Sequence, residues 1–162
     1  MKLKNKKTIS VLIAAFVVVS TVIWIANIHK KENPALNNDC SAAFAMRDKA
    51  AHFTASLNLY LNMRDDNSGY LDMTGTVNSN GIDYTTARAW RFGYRLQSGN
   101  TLHLTEIAMD KRAADNAPDD VIDKLIFSTD PSTGRYVKIA TLNNAWVIGN
   151  LYSPQFVCVI NA

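Results

Sequence analysis

The chain has 162 residues, enough for one domain together with a separate apolar segment. Its formal charge is +3, but six of its seventeen basic residues lie in two lysine clusters that flank that segment. From Asn33 onward, eleven basic and thirteen acidic residues remain, so the main domain is nearly neutral. This balance argues against a nucleic-acid-binding surface, which needs a basic patch.

The N-terminal segment is an uncharged apolar run over residues 8–28, preceded by a lysine-rich stretch over residues 1–7. At a rise of 1.5 Å per residue, about 20 residues span the ~30 Å hydrocarbon core of a bilayer. The run therefore predicts a transmembrane helix, with Trp24 at its outer interface. A cleaved signal peptide is the alternative, but the run is long for one and residues 24–29 offer no Ala-x-Ala-like cleavage site.

The lysine distribution predicts the orientation of this anchor. The basic tail over residues 1–7 favours a cytoplasmic N-terminus by the positive-inside rule, although Lys30 and Lys31 oppose it. We therefore expect a bacterial inner-membrane protein with a juxtamembrane linker at residues 29–39. A periplasmic β-rich domain is expected to follow at residues 40–162.

The two cysteines lie near the two limits of this domain. In an oxidising compartment we expect Cys40 and Cys158 to form a disulfide that joins the ends of the domain. Two unrelated buried thiols are the alternative. No Cys-x-x-Cys motif suggests redox chemistry or a zinc site.

Period-2 alternation of apolar residues dominates the first half of the domain and predicts strands. Residues 40–48 are ambiguous between helix and strand. Four strands of an antiparallel meander follow, at about residues 53–63, 71–77, 82–96 and 101–108. Asn80-Gly81 is the strongest hairpin signal, since both residues tolerate positive φ.

The second half begins with a helix signal. Asn116, Pro118 and the acidic pair Asp119-Asp120 predict a short helix through about Leu125. Three short strands are predicted at residues 136–142, 146–150 and 156–160. About seven strands with one or two helices indicate a mainly-β domain, either a strongly curved sheet or a partial barrel.

No set of residues suggests catalysis. The three histidines, His29, His52 and His103, are isolated, and no nucleophile motif or phosphate-binding glycine loop is present. Asp119, Asp120 and Asp123 resemble the acidic first turn of a helix more than a metal site. We therefore expect neither an enzyme nor a bound metal or cofactor.

One predicted strand carries the candidate contact residues. Its aromatic side chains, Tyr84, Trp90, Phe92 and Tyr94, suit ordinary core packing or the wall of an apolar ligand cavity. Its arginines, Arg88, Arg91 and Arg95, suit a solvated face. The alternative is that one of them lies at a cavity mouth and pairs with an anionic ligand or with a carboxylate of a partner.

The order of these features resembles the FidL-like family of small inner-membrane proteins of enteric bacteria. The resemblance rests on the lysine-rich tail, the anchor, Cys40, the β meander and the ending Pro154-x-Phe156-x-Cys158. It implies a partner role similar to that of ToxS and VtrC, in a heterodimer with a ToxR-like membrane transcription factor. It also implies a lipocalin-like barrel, which in some relatives binds bile salts.

A second role is compatible with the same features. An envelope assembly or structural factor would need the same anchor and the same β domain, but no ligand sensing.

Overall fold

The computed structural model describes residues 15–22, 24, 36–127 and 135–161. Two compact units, Met1–Asn33 and Pro34–Ala162, divide the chain. In the first unit, residues 15–22 and 24 are helical and exposed. Among the described residues, no helix has the length and apolar character needed to cross a membrane. The rest of the predicted span at residues 8–28, the tail at residues 1–7 and residues 29–35 of the linker lie outside the described residues.

The second unit is a closed barrel of eight antiparallel strands, each hydrogen-bonded to its neighbour in chain order. The strands are β1 (Asn38–Asp48), β2 (Phe53–Met63), β3 (Ser68–Ser79), β4 (Ile82–Leu96), β5 (Thr101–Lys111), β6 (Arg135–Leu142), β7 (Ala145–Gly149) and β8 (Pro154–Ile160). The helix α1 (Asp119–Leu125) lies between β5 and β6. The mainly-β antiparallel prediction is confirmed.

The ambiguous segment at residues 40–48 belongs to a strand, and it raises the strand count from the predicted seven to eight. β1 pairs with β2 along its whole length, from Asn38 opposite Met63 to Asp48 opposite Phe53. Its alanine-rich composition favours a helix only weakly, and this ladder of backbone hydrogen bonds overrides that preference.

The barrel closes without a strand from another chain, so the predicted partial barrel is replaced by a complete one. The closure is narrow, because β1 and β8 pair only at Cys40 with Ile160 and at Ser41 with Val159. The predicted disulfide is confirmed at this point, where Cys40 and Cys158 are joined with their Cα atoms 5.4 Å apart. We call this end of the barrel the disulfide end.

Turn chemistry and one bulge set the register of the long strands. Asn80 and Gly81 have φ of 53° and 83°, as the predicted Asn-Gly hairpin requires. Between β4 and β5 the register shifts at Arg91 and Gly93. Opposite this shift, Glu106 adopts a φ of 53°. The bulge lets β5 continue to Lys111, three residues beyond its predicted end.

The strands differ in length around the barrel. β1 to β5 have 11 to 15 residues, whereas β6, β7 and β8 have 8, 5 and 7. The wall made by the three short strands is therefore shorter than the rest of the barrel wall. The β7–β8 loop and α1 lie at the end opposite the disulfide, which we call the α1 end.

Candidate functional site

A cavity of about 430 Å³ occupies the interior of the barrel. Its lining includes Leu151 and Tyr152 of the β7–β8 loop, which are exposed, so the cavity reaches the surface at the α1 end. This volume lies within the range of roughly 300–1,000 Å³ that is typical of small-molecule sites. The barrel thus encloses a space of ligand size.

The deep part of the cavity is apolar because inward-facing positions of the long strands are apolar. The alternation predicted for β2 is confirmed, with Leu59, Leu61 and Met63 all buried and all lining the cavity. Facing strands add further buried apolar side chains, namely Met73, Phe92, Leu102, Leu104, Ile139 and Ile148.

The polar side chains of the lining gather at the α1 end. They come from the start of β6, the β7–β8 loop and the start of β8: Arg135, Asn150, Tyr152 and Gln155. Tyr136 also borders the cavity, but its ring stacks on His103, with the ring centroids 4.6 Å apart. Among the described residues that line the cavity, Arg135 is the only charged one. The cavity therefore has an apolar interior and a polar mouth.

Arg135 is held against an aromatic ring at this mouth. Its guanidinium carbon lies 4.2 Å from the ring centroid of Phe127, which follows α1. Burial lowers the pKa of Arg135, and the opposing influence of the Asp123 charge is smaller. The cation is thus partly withdrawn from water in a mainly apolar setting, where an anion would be attracted strongly.

A buried ion pair fixes the connection that precedes α1. Arg88 Nη2 lies 2.7 Å from Asp115 Oδ1, and both side chains are almost completely inaccessible to solvent. Arg88 also donates a hydrogen bond to the carbonyl of Ala117, and its Nη1 lies 3.1 Å from Asp119 Oδ1. The network ties the start of α1 to β4. It thereby positions Leu125, Ile126 and Phe127 over the cavity.

The electrostatics of Asp115 follow from this burial. Burial alone would raise the pKa of the carboxyl, but hydrogen bonds from Arg88 and from the Ala87 N–H outweigh it, and the pKa falls to about 2. Thr86 donates a further hydrogen bond. The carboxylate is therefore charged at neutral pH and fully engaged within the protein.

The β7–β8 loop is ordered by one asparagine. The Asn150 side chain accepts hydrogen bonds from the N–H groups of Tyr152 and Ser153, at 2.8 and 2.9 Å. The Asn150 N–H in turn donates to the Ser153 carbonyl. This turn holds Tyr152 outward with 94% of its surface exposed, beside the mouth of the cavity.

The aromatic residues singled out on β4 have different surroundings. Phe92 lines the cavity, whereas Tyr94 is buried and its hydroxyl donates to the Arg64 carbonyl. Trp90 is buried against Phe127, with ring centroids 5.0 Å apart. Its Nε1 has no hydrogen-bond partner among the described residues. Tyr84 is half-buried and packs against the core.

The arginines singled out on β4 do not line the cavity. Arg88 is committed to Asp115 and Asp119. Arg91 lies on the outer face, paired with Asp110 at 2.7 Å, and Arg95 is exposed.

Sequence reasoning missed Arg135, the arginine that does lie at the cavity. One signal could have identified it. Arg135, Val137 and Ile139 alternate, so extending the predicted β6 by one residue places Arg135 on the inward face.

No metal centre accompanies the cavity in the part of the chain that the structure describes. Within residues 15–22, 24, 36–127 and 135–161, no three His, Cys, Asp or Glu side chains come together in a way that could hold an ion.

Comparison with known proteins identifies the family. The family model described as "FidL-like putative membrane protein" matches residues 75–158, which is more than half of the chain. The match runs from the middle of β3 to Cys158 and includes α1, Arg135 and the β7–β8 loop. The chain therefore belongs to the FidL-like family. No curated protein matches it.

Proposed function

We propose that this member of the FidL-like family is a membrane-anchored periplasmic binding module that associates with a ToxR-like transmembrane regulator and stabilises or modulates it. In this proposal a small amphipathic ligand, such as a bile salt, occupies the barrel cavity. The N-terminus lies in the cytoplasm of a bacterium, and the β-rich domain lies in the periplasm.

The cavity is the observation that carries this proposal. A purely structural domain would be expected to fill its interior at close-packed density. This barrel instead keeps a space of about 430 Å³ that is lined by apolar side chains and reaches solvent at a polar mouth. That combination suits a ligand with an apolar body and a polar end.

The seam between β1 and β8 offers a docking edge for the regulator. The two strands pair only at Cys40 and Ser41, although β1 continues to Asp48. Along the rest of β1, no strand among the described residues pairs on the β8 side. An extended segment of a partner could add to such an edge through backbone hydrogen bonds. Val157 and Val159, half exposed on β8, would add apolar contact beside it.

Two aromatic rings connect this edge to the cavity. Phe44 of β1 and Phe156 of β8 meet across the seam with ring centroids 5.8 Å apart, and both line the cavity. A ligand inside the barrel would therefore contact the pair that spans the seam. It would act on the regulator by favouring one arrangement of this edge, which requires different affinities for the two arrangements.

Co-purification tests the partnership. The full chain, extracted in mild detergent from cells that carry the regulator, should bring down a protein with a winged-helix domain and one membrane span. Replacing Val157 and Val159 together by arginine should reduce that capture. The matched control replaces Ser56 and Asn58 together by arginine. These two residues are exposed on the outer face of β2, and their replacement should leave capture unchanged. Equal capture by both double variants would place the interface elsewhere, and absence of the regulator would overturn the proposal.

The second candidate is an envelope assembly factor without ligand sensing. The narrow seam favours it equally, because an exposed edge can dock a partner whether or not the cavity is filled. Recovery of envelope or secretion machinery without a regulator would favour this role.

A further inference from the structure

We infer that the cavity accepts a long-chain acyl carboxylate, with its carboxylate on Arg135 and its chain extended toward the disulfide end. This inference rests on the ligand-binding part of the proposed function and names the ligand class. It follows from the distribution of polarity in the lining, from the setting of Arg135 and from the composition of the deep walls.

The polar residues of the lining are concentrated at one end of the cavity. Among the described residues, the polar residues of the lining all belong to the start of β6, the β7–β8 loop and the start of β8. Toward the disulfide end, the described lining side chains are hydrocarbon or thioether, as at Leu61, Met63 and Leu102. A ligand that matches this pattern has one polar end and an uninterrupted apolar remainder.

The charge at the mouth selects an anionic polar end. The guanidinium carbon of Arg135 lies 4.2 Å from the ring centroid of Phe127, and the planar group carries five N–H donors in a fixed fork. A carboxylate could accept two of them side by side. Asp123 offsets part of the positive charge, yet burial still dominates and the pKa of Arg135 is lowered. A bound anion would offset the free-energy cost of burying the charged guanidinium.

The deep walls disfavour a hydroxylated steroid. A bile salt carries hydroxyl groups on its ring system as well as an anionic tail. Among the described residues, the deep lining offers no hydroxyl, amide or charged side chain to pair with them. Buried hydroxyls without partners cost affinity. A plain acyl chain has no such groups.

The deep walls also suit a flexible chain. Met46, Met63 and Met73 line the cavity, and methionine adapts its shape to irregular apolar partners. The ligand class expected from these walls is therefore a fatty acid.

Equilibrium binding of radiolabelled palmitate tests this inference. The full chain is placed in phosphatidylcholine nanodiscs, because detergent would compete for the cavity, and empty nanodiscs give the background. Saturable binding of about one palmitate per chain is expected. Unlabelled palmitate should displace the label at least tenfold more effectively than cholate does. No saturable binding, or tighter competition by cholate, would overturn the inference.

Two variants test the placement of the carboxylate. Arg135→Gln should weaken palmitate binding at least tenfold while leaving hexadecanol, which has a neutral head, nearly unchanged. Arg91→Gln removes a charge from the outer wall and should leave both ligands unchanged. Arg135→Lys should fall between wild type and Arg135→Gln, and circular dichroism checks that each variant is folded. Equal palmitate affinity in Arg135→Gln and wild type would show that the carboxylate does not bind to Arg135.

The same preparations separate this inference from the regulator partnership. If the regulator is captured but palmitate does not bind, the ligand class is wrong and the partnership stands. If palmitate binds but no regulator is captured, the site stands and the partnership fails.

Discussion

Arg88 and Asp115 form an ion pair inside the barrel, with Arg88 Nη2 2.7 Å from Asp115 Oδ1 and both side chains withdrawn from solvent. The two residues are 27 positions apart in the chain and join β4 to the connection before α1. Asp115 also accepts hydrogen bonds from the N–H groups of Ala87 and Ala117. This pair fixes α1, and with it the residues that cover the cavity.

Removal of the Asp115 charge should destabilise the β domain strongly. Asp115→Asn would leave the buried guanidinium of Arg88 with only the exposed Asp119 as a counter-charge. Removal of the buried partner costs about 3–5 kcal/mol of unfolding free energy. Asp110→Asn is the matched control, because Asp110 pairs with Arg91 at the same 2.7 Å but both are exposed. It should cost less than about 1 kcal/mol. Urea unfolding followed by circular dichroism measures both, and equal losses would contradict the prediction.

Low pH should weaken the ion pair between Arg88 and Asp115 and lower the stability of the β domain. The pKa of Asp115 is about 2 in the folded protein and 3.8 as its ordinary value. Because the folded pKa is the lower one, the stabilisation is complete above pH 4 and is lost as the pH falls from about 4 toward 2. This difference in the pKa of Asp115 corresponds to roughly 2 kcal/mol of unfolding free energy. The exposed Asp119, whose pKa is also lowered, titrates at low pH as well.

Unfolding free energy measured from pH 6 to pH 2 tests this dependence. The wild type should lose more stability below pH 4 than Asp115→Asn does. Parallel curves for the two proteins would show that Asp115 does not contribute this dependence.

Loss of the disulfide should weaken the closure of the barrel. Cys40 and Cys158 are separated by 118 positions, so the bond closes a long loop in the unfolded chain. The chain-entropy model gives about 4–5 kcal/mol for such a loop. A variant with both cysteines replaced by alanine should unfold at correspondingly lower urea concentration. Adding a reductant during unfolding should lower the wild-type midpoint and leave that of the variant unchanged.

A side chain at Gly75 should not be tolerated. Gly75 has a φ of 150°, and a Cβ there would run into the backbone carbonyl of Ser56 on the paired strand β2. Gly99 is the matched control, because its φ is 60° but the space around it is open. Gly99→Ala should cost about 1–2 kcal/mol from backbone strain alone. Gly75→Ala should cost clearly more, and thermal melts of the two variants decide this.

Much of the wall of the barrel could be predicted locally. Alternation along β2 and β4 and the Asn80-Gly81 hairpin indicated the meander, because side-chain direction in a strand has a period of two and a hairpin turn is set by its own residues. β1 was harder, since its identity depends on pairing with β2. The end of β5 was missed because the bulge at Glu106 interrupts the alternation.

The site was only partly predictable. An apolar cavity with an arginine at its mouth was expected as one alternative, but the candidate arginines were those of β4. Arg88 turned inward and met Asp115, a partner that no local pattern reveals. Phe127 and Arg135 come together only in the folded barrel, where Phe127, which follows α1, lies beside the start of β6.

The sequence by itself determined the antiparallel strands, the main turns and the two cysteines at the limits of the domain, since these depend on local periodicity and backbone preference. The tertiary structure decided that the sheet closes into a barrel and that the cavity stays open at the α1 end. It also decided which arginine faces the cavity. The physical reason is that closure, strand-length mismatch and charge pairing depend on residues that are distant in the chain and adjacent only after folding.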